Sequence, residues 1–224
     1  MKTDELISAL SAGVEPVNRR QVNRSVGTAL VVGMAVAIGV TFLALGVRTD
    51  LTTPRTLIFL FLKIAFAFGT TGAAAVYLAR LARPGGERRV SPGLAALPFV
   101  AILLLAGISL GQAPSSHWDR MVMGDQWLEC LISIPIIAIV PFAVVIWAVR
   151  QAAPTNLVRT GAFSGLVAGG MSAMAYALHC TDDSLPFVAL WYGGTIVLCT
   201  LAGALLGTPT AALVRGCTHV GVSL

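Results

Sequence analysis

Six apolar runs, each about as long as a bilayer-crossing helix, fill most of this 224-residue chain, at 25–47, 56–78, 94–110, 128–149, 158–178 and 187–206. A helix rises about 1.5 Å per residue, so roughly 20 apolar residues cross a hydrocarbon core about 30 Å thick. Helices of soluble proteins rarely run that far without a polar face. Only 11% of the residues are charged, too few to solvate six such surfaces. The chain therefore reads as an all-α integral membrane protein, a bundle of six transmembrane helices, and a water-soluble core is excluded.

The polar remainder sets the orientation. The first 24 residues carry Asp4, Glu5 and Glu15 and show no short apolar run ending in a small-residue cleavage site. The first run is thus expected to act as an uncleaved signal anchor. Lys and Arg near span ends mark the cytoplasmic side. One side collects Lys2, Arg19, Arg20, Arg24, Arg80, Arg83, Arg88, Arg89, Arg150, Arg159 and Arg215, and the other holds Arg48, Arg55 and Arg120. Eleven against three puts both termini in the cytoplasm of a bacterial cell and the chain in its inner membrane. These cations are spread along membrane edges, so the net charge of +5 makes no case for direct nucleic-acid binding. The opposite connections carry Asp50, Asp119, Asp125, Glu129, Asp182 and Asp183. Tyr77 and Trp147 fall at inner span ends, and Trp118, Trp127, Tyr176, Trp191 and Tyr192 at outer ones, the headgroup level that amphipathic rings favour.

Three units follow: a cytoplasmic segment 1–24, a six-helix body 25–214 and a short cytoplasmic tail 215–224. The outer connection 111–127 is long enough to lie on the surface as a short amphipathic segment. The link 151–157 is short, which makes the fourth and fifth runs antiparallel neighbours. Pro98, Pro135 and Pro141 lie within runs and are expected to kink them. Gly161, Gly165 and Gly169 share a face of the fifth run, and Gly203 and Gly207 one of the sixth. Small residues at that spacing let backbones approach closely, serving either packing within the bundle or a homodimer contact. Lys63 is the one Lys or Arg well inside a run. Intramembrane cations are functional by default, but this side chain tilts toward the outer end of its helix and is expected to snorkel to the headgroups. An ion or proton pathway and an internal pair are the alternatives.

Topology separates the four cysteines. Cys217 lies in the cytoplasmic tail, where thiols stay reduced, and Cys199 sits mid-span as a small packing residue. Cys130 opens the fourth run and Cys180 closes the fifth at the same outer surface. The readings open to this pair are a redox or metal-sensing role, a constitutive disulfide and plain packing. Around it lie Glu129 and the sequence His179-Cys180-Thr181-Asp182-Asp183. Thiolate, imidazole and carboxylate together suit a thiophilic divalent ion, making Cys130, His179, Cys180, Asp182 and Asp183 the candidate ligands of a transient heavy-metal ion. No resident cofactor is implied. Asp182 and Asp183 otherwise hydrate the turn and cap the following helix, which Pro186 helps to start.

Residues 2–10 read as a short amphipathic helix. Thr3 or Asp4 caps it, acids occupy its first turn, and Leu6, Ile7 and Leu10 form an apolar stripe. A stripe that small either rests on the membrane or docks on a partner. The Lys2-Thr3-Asp4-Glu5-Leu6-Ile7 opening, the Pro16-Val17 step followed by arginines, the six runs, and His179-Cys180-Thr181-Asp182-Asp183-Ser184 with Phe187 and Trp191-Tyr192 resemble the NrsF-like membrane anti-sigma factors over essentially the whole length. The resemblance implies a negative regulator that sequesters a sigma factor of the extracytoplasmic-function (ECF) type and releases it on metal or oxidative stress. It also implies that Cys130 and Cys180 are the sensor pair. Sigma contact then falls to Lys2, Thr3, Asp4, Leu6, Ile7 and Leu10, because the longer zinc-bearing cytosolic domain of better-known anti-sigma proteins is missing. Two other functions compete. A small six-helix transporter would need discontinuous helices with paired ionisable residues, and a thiol oxidoreductase is usually built on Cys-x-x-Cys. Neither pattern is present, and nothing marks the chain as an enzyme.

Overall fold

The computed structural model describes residues 19–81, 92–151, 154 and 156–207. The helix expected over 2–10, the proposed sigma-contact residues Lys2, Thr3, Asp4, Leu6, Ile7 and Leu10, and the tail with Cys217 lie outside the described residues. Every element among those described is helical. Helix α1 spans Arg19–Val40 and runs into a π turn at Thr41–Leu45; α2 spans Pro54–Leu81; α3 spans Leu97–Gln112 and is entered through a 3-10 turn at Pro92–Ala96. Helix α4 is the short Trp118–Met123, α5 spans Trp127–Arg150 and α6 Leu157–Tyr176. Helix α7 covers Leu185–Gly207, with a π turn at Val188–Tyr192.

All six apolar runs are thus helices, and five segments are long and apolar enough to cross a membrane: Arg24–Leu45, Pro54–Leu81, Gly93–Gln112, Ser115–Arg150 and Leu185–Gly207. Helix α6 is not among them, for a packing reason. It is the hub of the bundle, lying most extensively against α7 and also against α2, α5 and α1, and residues 164–176 are all buried. A helix enclosed by other helices has no lipid face, so it needs small side chains more than greasy ones. The remaining helices carry their large apolar groups outward, Val31, Leu43, Phe61, Leu104, Ile139 and Leu205 each more than 60% exposed. Such a belt exceeds what a soluble monomer presents to water and fits a membrane protein.

Of the two uses open to the glycine faces, the structure displays packing within the chain. A Cβ on Gly161 would collide with the carbonyl oxygen of Gly203, one on Gly165 with that of Cys199, and one on Gly207 with that of Leu157. The α6–α7 contact is backbone against backbone, so the glycines of the fifth run are already covered by α7, and self-association has to use other residues. One local expectation also changes. Pro98 sits in the first turn of α3, where its missing N–H was unpaired anyway, while Pro135 and Pro141 do lie inside α5. The connection 111–127 contains the short α4, none of whose residues is buried, resting against the start of α7.

Candidate functional site

Cys130 lies in the first turn of α5 and Cys180 just beyond α6, and the fold brings both to the same end of the bundle, here called the cysteine end. Both are free thiols, both are 0% exposed, and both belong to the main core. Cys130 and Cys180 are neighbours, and Tyr176 and Tyr192 adjoin both. These two tyrosines were expected at the headgroups. They are instead fully buried, with ring centroids 6.1 Å apart. The Tyr176 hydroxyl has no hydrogen-bond partner among the described residues, and the Tyr192 hydroxyl lies against the Cys180 thiol. A thiol pair and two phenols thus form a buried cluster of weakly polar groups.

Beside it lies an ion network, of which the sequence offered only an internal pair for Lys63 as one alternative; its two cations are buried, while Asp50 is 47% exposed. Lys63 does not snorkel. Its side chain is 0% exposed, and its ammonium donates to Asp183 Oδ1 at 3.0 Å and to the Cys180 carbonyl at 3.1 Å. The ammonium does point toward the outer end of α2, as its tilt demands, but an anion and a carbonyl meet it inside the protein before it reaches lipid headgroups. Arg48 completes the network. Its guanidinium donates to both oxygens of Asp50 (2.7 and 2.8 Å), both oxygens of Asp183 (2.8 and 3.0 Å) and the Cys180 carbonyl (2.9 Å). All five of its N–H donors therefore have acceptors. One signal in the sequence does point to it: an arginine on the side where basic residues are scarce, two residues from Asp50, needs anions to hold it there.

The other candidate ligands point elsewhere. Asp182 accepts from the backbone N–H groups of Asp125 and Gln126, at 3.1 and 2.7 Å, and so fastens the cysteine loop to the entry of α5. The Gln126 side chain returns the bond by accepting from Thr181 N–H at 2.9 Å. His179 donates through Nδ1 to the Gly46 carbonyl at 3.2 Å, and its Nε2 lies 3.9 Å from Glu129. Ser184, rather than either aspartate, caps α7 by accepting from Phe187 N–H, and its own hydroxyl donates to the Met121 carbonyl. No group of three or more His, Cys, Asp or Glu among the described residues is arranged to hold a metal ion. Of the five candidate ligands, His179, Asp182 and Asp183 are thus engaged in bonds of their own, and the two thiols are unbridged.

Charge and burial set the ionisation at this end. Hydrogen bonds donated to Asp50 and Asp183 raise the Arg48 pKa further above its ordinary value. Asp50 is lowered to about 2, chiefly by its hydrogen bond from Arg48. Burial pushes Asp183 up, but the Arg48 hydrogen bond and the Lys63 charge outweigh it and leave the carboxyl below the ordinary range. Burial raises the Cys180 thiol, with Lys63 opposing. Carboxyls lowered on folding stabilise the fold above their unfolded value and lose that effect as pH falls through the folded value. The cysteine end should therefore hold from neutral pH to about 3.8 and loosen as pH falls from there toward 2. Fluorescence of the Trp127–Trp191 pair (centroids 5.1 Å apart) followed during acid titration would read it. Loosening already near pH 6 would contradict it.

Five membrane-length apolar helices around a buried thiol pair and its ion network fit a polytopic helical membrane protein. The chain belongs to the NrsF family, described as negative regulator of sigma F, which it matches over residues 10–212. It is 30% identical over 207 residues to the probable anti-sigma-F factor NrsF of Azospira oryzae, covering 92% of this chain and 97% of that one. It is 32% identical over 214 residues to the anti-sigma-F factor NrsF of Caulobacter vibrioides, with the same coverage of each. No solved structure matches it.

Proposed function

We propose that the chain is a membrane-bound anti-sigma factor that holds an ECF-type sigma factor at the bacterial inner membrane through segment 1–24. The cysteine end faces the periplasm, as the distribution of Lys and Arg requires, and both termini are cytoplasmic. Lys2, Thr3, Asp4, Leu6, Ile7 and Leu10 grip the sigma factor, and chemistry at Cys130 and Cys180 under metal or oxidative stress releases it. Oxidation joins the two sulfurs and passes both thiol hydrogens to the oxidant. A thiophilic ion instead takes both sulfurs and frees two protons. Either event moves α5 against the cysteine loop, and it shifts the output only through the energy difference between the two packings. The chain acts as a regulator and not as a catalyst.

The observation that carries this reading is that two cysteines from distant parts of the sequence are packed, unbridged, into one buried cluster. The names of both relatives support it. Transport, the rival reading that six helices and Lys63 permit, gains no open path from that residue, whose side chain is 0% exposed and held by Asp183. Thiol trapping in cells treated with diamide, read beside sigma-dependent transcription, tests the reading. Both thiols should disappear as transcription rises, Cys130→Ser or Cys180→Ser should abolish the rise, and Leu6→Glu with Leu10→Glu should lose co-purified sigma factor. Equal transcription with the gene present and deleted would end the proposal.

A further inference from the structure

Helix α1 is joined by the chain to residues 1–18, and it is held by both cysteine-bearing parts of the bundle. Along its length it rests on α5, which carries Cys130, and on α6, which leads into Cys180. A Cβ on its Gly33 would stand 3.4 Å from the Pro141 Cα of α5. At its far end the π turn Thr41–Leu45 stops at Gly46, whose φ of 80° suits glycine, and the next residues are fastened to the cysteine loop. Arg48 N–H donates to the Leu178 carbonyl at 3.0 Å, His179 reaches the Gly46 carbonyl, and the Arg48 guanidinium takes the Cys180 carbonyl and both Asp183 oxygens.

We propose that Arg48 is the positioning residue that passes a change at Cys180 to α1, and through α1 toward the segment 1–18. The inference rests on the reading just given, in which the thiol pair is the input and segment 1–24 the output. Any displacement of residues 178–183 carries three of the guanidinium's acceptors with it. The remaining two belong to Asp50, which sits beside Arg48 in the chain and moves with it. The Arg48 side chain is 0% exposed, so acceptors that leave are not replaced by water, and an unpaired buried cation is costly. Following the loop is the cheaper course, and the π turn next to it is a helix segment able to change register. Lys63, the other cation on the loop, lies on α2 and makes no equivalent link to α1.

Hydrogen exchange on the full chain in lipid nanodiscs tests this, with phenylarsine oxide as the probe. That reagent needs two thiols: two arsenic–sulfur bonds form, and the oxygen leaves as water with both thiol protons. In wild type, loss of the Cys130 and Cys180 thiols should be accompanied by an exchange change of about fivefold in the first turns of α1. Arg48→Gln keeps the Lys63–Asp183 pair charge-balanced. Two glycines inserted between Val47 and Arg48 keep every bond of the network and lengthen only the link, so that chain decides if Arg48→Gln does not fold. Both should consume the thiols as wild type does while the α1 response is lost. A wild-type response in either folded variant overturns the proposal and assigns transmission to the α5 face or to the His179–Gly46 bond. A silent α1 in wild type with both thiols consumed also overturns it. Thiols that fail to react overturn the sensor reading itself and this inference with it, a failure recognised because it is read on sulfur and not on amides.

Discussion

Asp183→Ala is expected to destabilise the protein by about 3–5 kcal/mol, the usual cost of leaving a buried charge without its partner. Asp183 is the anion shared by two cations whose side chains are both 0% exposed. Arg48 keeps Asp50 after the substitution. Lys63 keeps only the Cys180 carbonyl and the face of the Tyr192 ring, 6.0 Å from its nitrogen. The reverse deletion should be far milder. Lys63→Met leaves Asp183 with two guanidinium hydrogen bonds, and its side chain is 15% exposed, so water serves the vacated oxygen at a cost of about 1 kcal/mol. Denaturant unfolding of the detergent-purified variants measures both, and the double variant should recover much of the Asp183→Ala loss because it no longer strands an ammonium. Equal costs for the two single substitutions would show that the network is not organised around Asp183.

The second large effect lies in the α6–α7 seam. Gly165→Ala should cost near the upper end of the ~1–3 kcal/mol typical of overpacking, because the atom met is a backbone carbonyl, that of Cys199, and no rotamer change can clear it. Separating the helices would also loosen α6, which touches most of the bundle. The same substitution should reverse sign elsewhere. A Cβ on Gly72 in α2 or Gly107 in α3 meets nothing within 4 Å, so alanine there should stabilise by about 0.5–1 kcal/mol through helix propensity alone. Thermal unfolding of the three variants in one detergent gives the comparison. A Gly165→Ala protein as stable as Gly107→Ala would refute the backbone contact.

Much of this protein is legible in its residues because the membrane reading depends on run length and on which side cations collect, both linear properties of a chain. Helix positions follow from them, as does the presence of Cys130 and Cys180 at one end, since helices of matched length alternate direction. The glycine spacing likewise announced a close helix contact. What spacing does not state is which neighbour each glycine meets, and α7 of the same chain was settled only by packing. The ion network was hidden for a related reason. Arg48, Lys63 and Asp183 lie on three separate elements, and each taken alone suits an interface or a solvated turn.

The sequence by itself determined a set of long apolar helices, the placing of its two key thiols at one end and its family, because hydrophobic length, charge and local motif are written along the chain. Only the tertiary structure decided that α6 sits at the centre, that Tyr176 and Tyr192 face the sulfurs rather than lipid, and that Lys63 and Arg48 converge on Asp183 and the Cys180 carbonyl. The physical reason is that a buried charge is tolerable only where distant segments bring its counter-charge, and that meeting exists in space before it can be read in order.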